Sequence, residues 1–210
     1  MWAKVLVEDI KHFLEALMKF WSNTTGTTGN TTGASTSKPT ERQSDAPSQF
    51  TKNFCLTMLT QSDTATRLGI NNSPIANGEL FVVNNLEQLS VKVLEPVFAL
   101  LKGDYMYSGG YRCKPLNDAV GSSDSSQHRK GMANDFQPKV PTKANVESAF
   151  QAIKASDIPF DQLIIEGSRI GTPQETFWIH ISYDPNKAQQ RRQTLRVIVG
   201  EDGKNRTVGA

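Results

Sequence analysis

The sequence predicts an α+β fold: a small antiparallel sheet with helices packed on it, preceded by an amphipathic helix and a flexible linker. Three observations predict it. Helix-spaced apolar residues dominate the middle of the chain, two strand-like runs stand close together between residues 160 and 183, and a Thr- and Gly-rich stretch separates the first 21 residues from the rest.

Residues 1–21, MWAKVLVEDIKHFLEALMKFW, place Ile10, Phe13, Leu14, Leu17, Met18 and Trp21 at spacings of three and four, the pattern of a helix with one apolar face. Lys4, Glu8, Asp9, Lys11, Glu15 and Lys19 interrupt every apolar run, so no segment reaches the roughly 20 residues needed to span a bilayer. There is also no charge-free run ending in a small-residue cleavage site, so no signal peptide is expected. Residues 22–49 repeat TTG three times and carry almost no large apolar side chain. Such a stretch buries too little surface to offset the entropy of ordering it. A short apolar helix on a polar tether is most simply an attachment device for a partner protein, for self-association or for a membrane surface.

The globular part is expected over 50–210. Residues 50–74 read as short helical turns ending in a Gly- and Asn-rich loop. From Gly78 to Leu101, Val82, Val83, Leu86, Leu89, Val93, Val97 and Leu100 keep helical spacing, with Pro96 expected to kink or restart the helix. A second helix is expected over 144–155 from Val146, Phe150 and Ile153. FDQLIIE (160–166) and TFWIHISY (176–183) are strand candidates joined by GSRIGTPQE, whose glycines and proline suit an irregular hairpin connection. RVIVGE near the C-terminus is one more short strand.

Composition narrows the function. Twenty-three Lys and Arg against 21 Asp and Glu give a net charge of +2, too mild to imply nucleic acid. Cys55 and Cys113 fit neither a disulfide framework nor a zinc ribbon, and pairing or free thiols both remain open from sequence. The chain has only three histidines. His12 lies in the N-terminal helix, His128 in the polar stretch SSQHRKGMAND, and His180 inside a strand. Alternation along that strand puts Phe177, Ile179, Ile181 and Tyr183 on one face and Trp178, His180 and Ser182 on the other. The former is a core face, and the latter has the character of a site lining. His128 and Asp135 from one loop, with His180 from a neighbouring strand, form a His/Asp/His donor set of the kind zinc accepts while keeping a fourth position open. Spacing alone does not require this, since a polar loop whose Asp135 caps a turn reads the same way. Asp161 and Asp184 read as solvated strand ends.

Ser126, His128, Gly131, Ala133 and Asp135 resemble the S-x-H-x-x-G-x-A-x-D motif of the zinc D-alanyl-D-alanine carboxypeptidase and L-alanyl-D-glutamate peptidase family. Trp178-Ile179-His180 resembles its W-x-H element. SGGYRCKPLNDAVG (108–121), FDQLIIE, QSDTATRLGI and RRQTL are similar to further family segments, especially in phage-encoded members, and the likeness runs from Phe50 to Leu195.

The resemblance implies a Zn2+ peptidase acting on peptidoglycan stem peptides. His128, Asp135 and His180 would bind the metal. Arg112 would stabilise an oxyanion or hold a substrate carboxylate, unless it forms a buried structural pair. Ser126 and Trp178 would contact substrate. Some members place a catalytic glutamate three residues before the second histidine. Here that position is Phe177, which leaves Glu166, favoured if it pairs opposite Phe177, or Glu175 in the connecting loop. The lack of a signal peptide or spanning helix favours a phage lysis enzyme, or a tail-associated wall hydrolase attached to a virion protein through residues 1–21, over an enzyme of cellular wall metabolism. A structural protein that keeps the fold without turnover is the alternative. Zinc is preferred for this donor set, although the residues alone do not exclude manganese or cobalt.

Overall fold

The computed structural model describes residues 49–200 and 205–209, so the expected N-terminal helix, its His12 and nearly all of the linker lie outside the described residues. Two short helices, α1 (Leu56–Thr60) and α2 (Asp63–Leu68), precede α3 (Leu80–Leu89), which continues through a wide π turn (Ser90–Leu94) into α4 (Glu95–Leu100). Strands β1 (Tyr105–Gly109) and β2 (Ala133–Pro138) flank α5 (Lys114–Ala119) and a 3₁₀ turn (His128–Lys130). After α6 (Lys143–Lys154) come β3 (Gln162–Ser168), β4 (Thr176–Ser182), β5 (Gln193–Val199) and β6 (Asn205–Gly209). No described helix is long and apolar enough to cross a membrane.

The helical run, expected to kink or restart at Pro96, is divided, and the proline explains where. Proline has no N–H to offer the Lys92 carbonyl, and its ring crowds that group. The helix widens one turn earlier, where the Glu95 N–H donates to the Ser90 carbonyl five residues back. Helix α6 follows its sequence closely. The Thr142 side chain caps it by accepting the Asn145 N–H at 3.2 Å, and Val146, Ala149, Phe150 and Ile153 bury one stripe. Each of its larger apolar side chains contributes about 1.5–3 kcal/mol of burial.

The sheet has six strands in the order β1-β2-β4-β3-β5-β6. All neighbours are antiparallel except β3 and β5, which run parallel. One face carries Phe136, Leu163, Ile165, Phe177, Ile179 and Ile181 into a core shared with α3, the π turn and α6. Trp178, His180 and Ser182 occupy the other face, as alternation along β4 requires, and all three are buried. Neither Cys55, half-buried, nor Cys113, buried, is in a disulfide.

Two expectations are corrected here. Asp135 belongs to a central strand, not a loop, and pairs directly opposite His180. Asp161 is no solvated strand end: it is fully buried and ion-paired to Lys187 and Arg191.

Candidate metal centre

The loop that delivers His128 is fixed by its contacts with α3. Gly131 adopts φ +66 to close the 3₁₀ turn, and a Cβ there would meet Val82 Cγ1 at 2.8 Å and the Val82 carbonyl at 3.0 Å. Only glycine combines that left-handed backbone with so close an approach. Asn85 Nδ2 donates to the Lys130 carbonyl at 2.8 Å, and Arg129 pairs with Glu79, which also accepts the Tyr111 hydroxyl. Arg129 is thereby held on Glu79, and its neighbour His128 is buried, 4% exposed.

Three donor atoms converge. His128 Nε2 lies 3.1 Å from His180 Nδ1 and 3.2 Å from Asp135 Oδ1, and His180 Nδ1 lies 3.1 Å from the same oxygen. Bonds of about 2.0 Å in a tetrahedral zinc site place ligand atoms about 3.3 Å apart, so this triangle matches one face of such a tetrahedron. The proton inventory fits as well. The Gly110 carbonyl can only accept, and it takes the His128 Nδ1–H at 2.7 Å, which leaves Nε2 with a bare lone pair. Burial, reinforced by Arg112, pushes His128 down to about 4, so it is neutral and ligand-ready at neutral pH. Burial works against ionisation of Asp135, but the two imidazoles outweigh it and hold the carboxyl below the usual carboxylate range. His180 moves the other way. Burial opposes its charged form, yet the Asp135 hydrogen bond and charge, with Glu166 nearby, raise it. Among the described residues this His128, Asp135 and His180 cluster is the one group able to hold a metal ion.

The surrounding residues orient the donors. Arg112 Nη2 donates to Asp135 Oδ2 at 3.1 Å, fixing the carboxylate so that Oδ1 faces the imidazoles. Its side chain stays 21% exposed. Gly109 sits opposite Asp135 at a bulge in β1, where a Cβ would lie 3.2 Å from Asp135 Oδ2.

Glu166 pairs with Trp178, one residue away from the expected partner Phe177. The shift is decisive, because residues opposite each other in a sheet share a face. Opposite Phe177 the carboxylate would enter the core; opposite Trp178 it lies on the His180 face. Burial, with the Asp135 charge behind it, pushes the Glu166 carboxyl up, while His180, Arg112 and a hydrogen bond from the Trp178 indole N–H moderate the rise. Glu175 is not brought to the cluster. It is exposed in the β3–β4 loop and accepts the Gly171 N–H at 3.2 Å. Ser126 is half-buried in the turn before His128, and its carbonyl accepts the Arg129 N–H.

Sequence reasoning missed Gly110 and the buried Asp161. The doublet Gly109-Gly110 was the available signal for the first, since adjacent glycines mark a close backbone approach. For the second there was none, because its partners lie 26 to 34 residues away along the chain.

The Peptidase M15 family model matches residues 52–182, more than half of the chain and inclusive of every donor described above. A search of curated proteins returns no significant match.

Proposed function

Because the chain belongs to the Peptidase M15 family, whose members are zinc-dependent metallopeptidases, we propose that it hydrolyses the stem peptides of bacterial peptidoglycan. The reading extends to a phage lysis enzyme or virion-associated wall hydrolase of D,D-carboxypeptidase or L-Ala-D-Glu endopeptidase type. The observation that carries it is the triangle of His128 Nε2, Asp135 Oδ1 and His180 Nδ1, with a protonatable carboxylate on the same sheet face.

His128, Asp135 and His180 would hold the zinc in this mechanism. When bound, zinc supplies Lewis acidity, polarising the scissile carbonyl and lowering the pKa of water towards about 7. Glu166 lies diagonally across from His180, a separation of about 7 Å between side-chain origins, which leaves room for one water between them. Its carboxylate takes a proton from that water as the water oxygen bonds to the carbonyl carbon. The same proton then passes to the amine of the departing fragment as the C–N bond breaks. A raised pKa suits both halves of this exchange. Arg112 offers its remaining N–H groups to the developing oxyanion or to a substrate carboxylate, and its bond to Asp135 keeps the fork aligned. Trp178 holds Glu166 in place and, with Ser126, lines the path of the peptide.

Digestion of purified peptidoglycan, followed by mass spectrometry of the released fragments, tests this. Intact protein and zinc-restored protein release new peptide ends, while chelated protein and His128→Ala do not, and the fragment masses name the bond. No release from walls of several chemotypes, despite one zinc bound per chain, would overturn the peptidase reading. Attachment through residues 1–21 is tested by deleting residues 1–45, which leaves hydrolysis intact and abolishes association with virions.

A further inference from the structure

Asp161 takes no part in that mechanism, yet both of its oxygens are fully engaged. Oδ1 accepts Lys187 Nζ at 2.9 Å, the Arg191 backbone N–H at 3.2 Å and Arg191 Nε at 3.0 Å. Oδ2 accepts Arg191 Nη2 at 2.5 Å, Arg191 Nε at 3.0 Å and Gln127 Nε2 at 3.0 Å. Lys187 and Arg191 already more than neutralise this buried carboxylate, so the Gln127 bond is not needed for charge balance. What it does is mechanical.

Gln127 is the residue immediately before His128. The backbone converges at the same point. The Asp161 N–H donates to the Ser182 carbonyl at 2.7 Å, the Tyr183 N–H to the Met132 carbonyl at 2.9 Å, and the Met132 N–H to the Gln127 carbonyl at 2.9 Å. Three segments are thereby clipped together: the loop bearing His128, the end of the strand bearing His180, and the start of the strand bearing Glu166.

We propose that Asp161 is a positioning residue for the metal site, acting through Gln127 to set the separation between His128 and His180. The inference rests on the zinc reading above and deepens it. Ligand distances in a metal site are tolerated only within about 0.2 Å, so a loosened loop is felt directly as weaker binding.

The test measures zinc affinity by competition with a chromophoric chelator, together with the Tm of the chelated proteins, for wild type, Gln127→Met and Gln127→Lys. Methionine keeps the length and loses the donor, whereas a lysine ammonium still reaches Asp161 Oδ2. The expected result is roughly tenfold weaker zinc binding in Gln127→Met, an unchanged Tm of the chelated protein, and recovery of affinity in Gln127→Lys. Wild-type affinity in Gln127→Met overturns the proposal while leaving the zinc reading intact. So does equal weakening of both variants, or a loss that tracks a fall in the chelated Tm, since either assigns Gln127 an ordinary structural role. A wild type that binds no zinc overturns both readings.

Discussion

Glu166→Gln separates the base from the scaffold. The amide has the carboxylate's shape and keeps an oxygen for the Trp178 indole N–H, but it cannot take a proton from water. Burial and the neighbouring Asp135 charge push the Glu166 carboxyl up, so folding disfavours its ionised form. A neutral amide removes that like-charge conflict, and the chelated variant should be at least as stable as wild type. Loss of a positioned base removes about 10²–10⁴ in rate, or about 3–5 kcal/mol of transition-state stabilisation. The assay is turnover of a soluble stem-peptide fragment at saturating zinc, with bound zinc and Tm measured on the same samples. We expect kcat to fall about 10³-fold, one zinc per chain, and a Tm equal to or above wild type. Glu175→Gln, in the exposed loop, keeps wild-type turnover. Because the base works only when ionised, wild-type kcat/KM rises with pH through a value above the ordinary glutamate value of 4.5. Full activity in Glu166→Gln, or its loss in Glu175→Gln, refutes the assignment.

Three further outcomes follow from the same geometry. In Gly110→Ala a Cβ would sit 2.1 Å from the Leu59 carbonyl oxygen, so the backbone must yield by about 1 Å. That breaks the Tyr111 N–H bond to Leu59 and shifts the carbonyl holding His128; urea unfolding should show a loss of about 2–4 kcal/mol, and chelator competition at least tenfold weaker zinc. Zinc at 100 times its Kd should stabilise wild type by about 2.7 kcal/mol in thermal unfolding, and His128→Ala should abolish that gain. For Asp161, burial opposes ionisation, but Arg191 and Lys187 outweigh it and depress the carboxyl below 3.8. A depressed acid contributes stability that is fully present above its unfolded value and lost as pH falls through its folded one. The stability gap between wild type and Asp161→Asn should therefore be constant near neutral pH and shrink only below about pH 4, as measured by urea midpoints.

The residues of the candidate metal cluster were legible because their chemistry is scarce: with three histidines in the chain, two of them beside an aspartate and an aromatic strand stand out. Helices α3 and α6 and strands β3, β4 and β5 were legible from apolar periodicity, which packing against a single core enforces. Strand β2 was not. Its sequence, Ala-Asn-Asp-Phe-Gln-Pro, is buried at every position, yet Asn134, Asp135 and Pro138 are poor strand formers. Tertiary pairing on both sides of β2 overrides that propensity, and the donor placed there hides the strand that carries it. The pairing of Glu166 failed for a different reason. A hairpin's register depends on how its loop closes, which apolar periodicity in the strands does not report.

That one-residue register bears on why Phe177 stands at the position, three before the histidine, where the sequence resemblance leads one to look for a glutamate. Side chains alternate along a strand, so a residue three positions before His180 points to the opposite face as long as β4 stays regular. Phe177 does so, entering the core with Ile179 and Ile181. On β4 itself only Thr176, Trp178 and Ser182 share the histidine's face, and none is an acid. The nearest same-face position able to carry a carboxylate one water away is therefore diagonal, on the adjacent strand, where Glu166 stands opposite Trp178. A regular β4 excludes the local glutamate and supplies the cross-strand one by the same geometry. Exchanging the two residues, Phe177→Glu with Glu166→Phe, should thus bury an unpaired acid in the core and leave the site without a base. The double variant is expected to unfold at markedly lower urea than wild type and to show no turnover, whereas a folded, active exchange would show that β4 does not run regularly through His180.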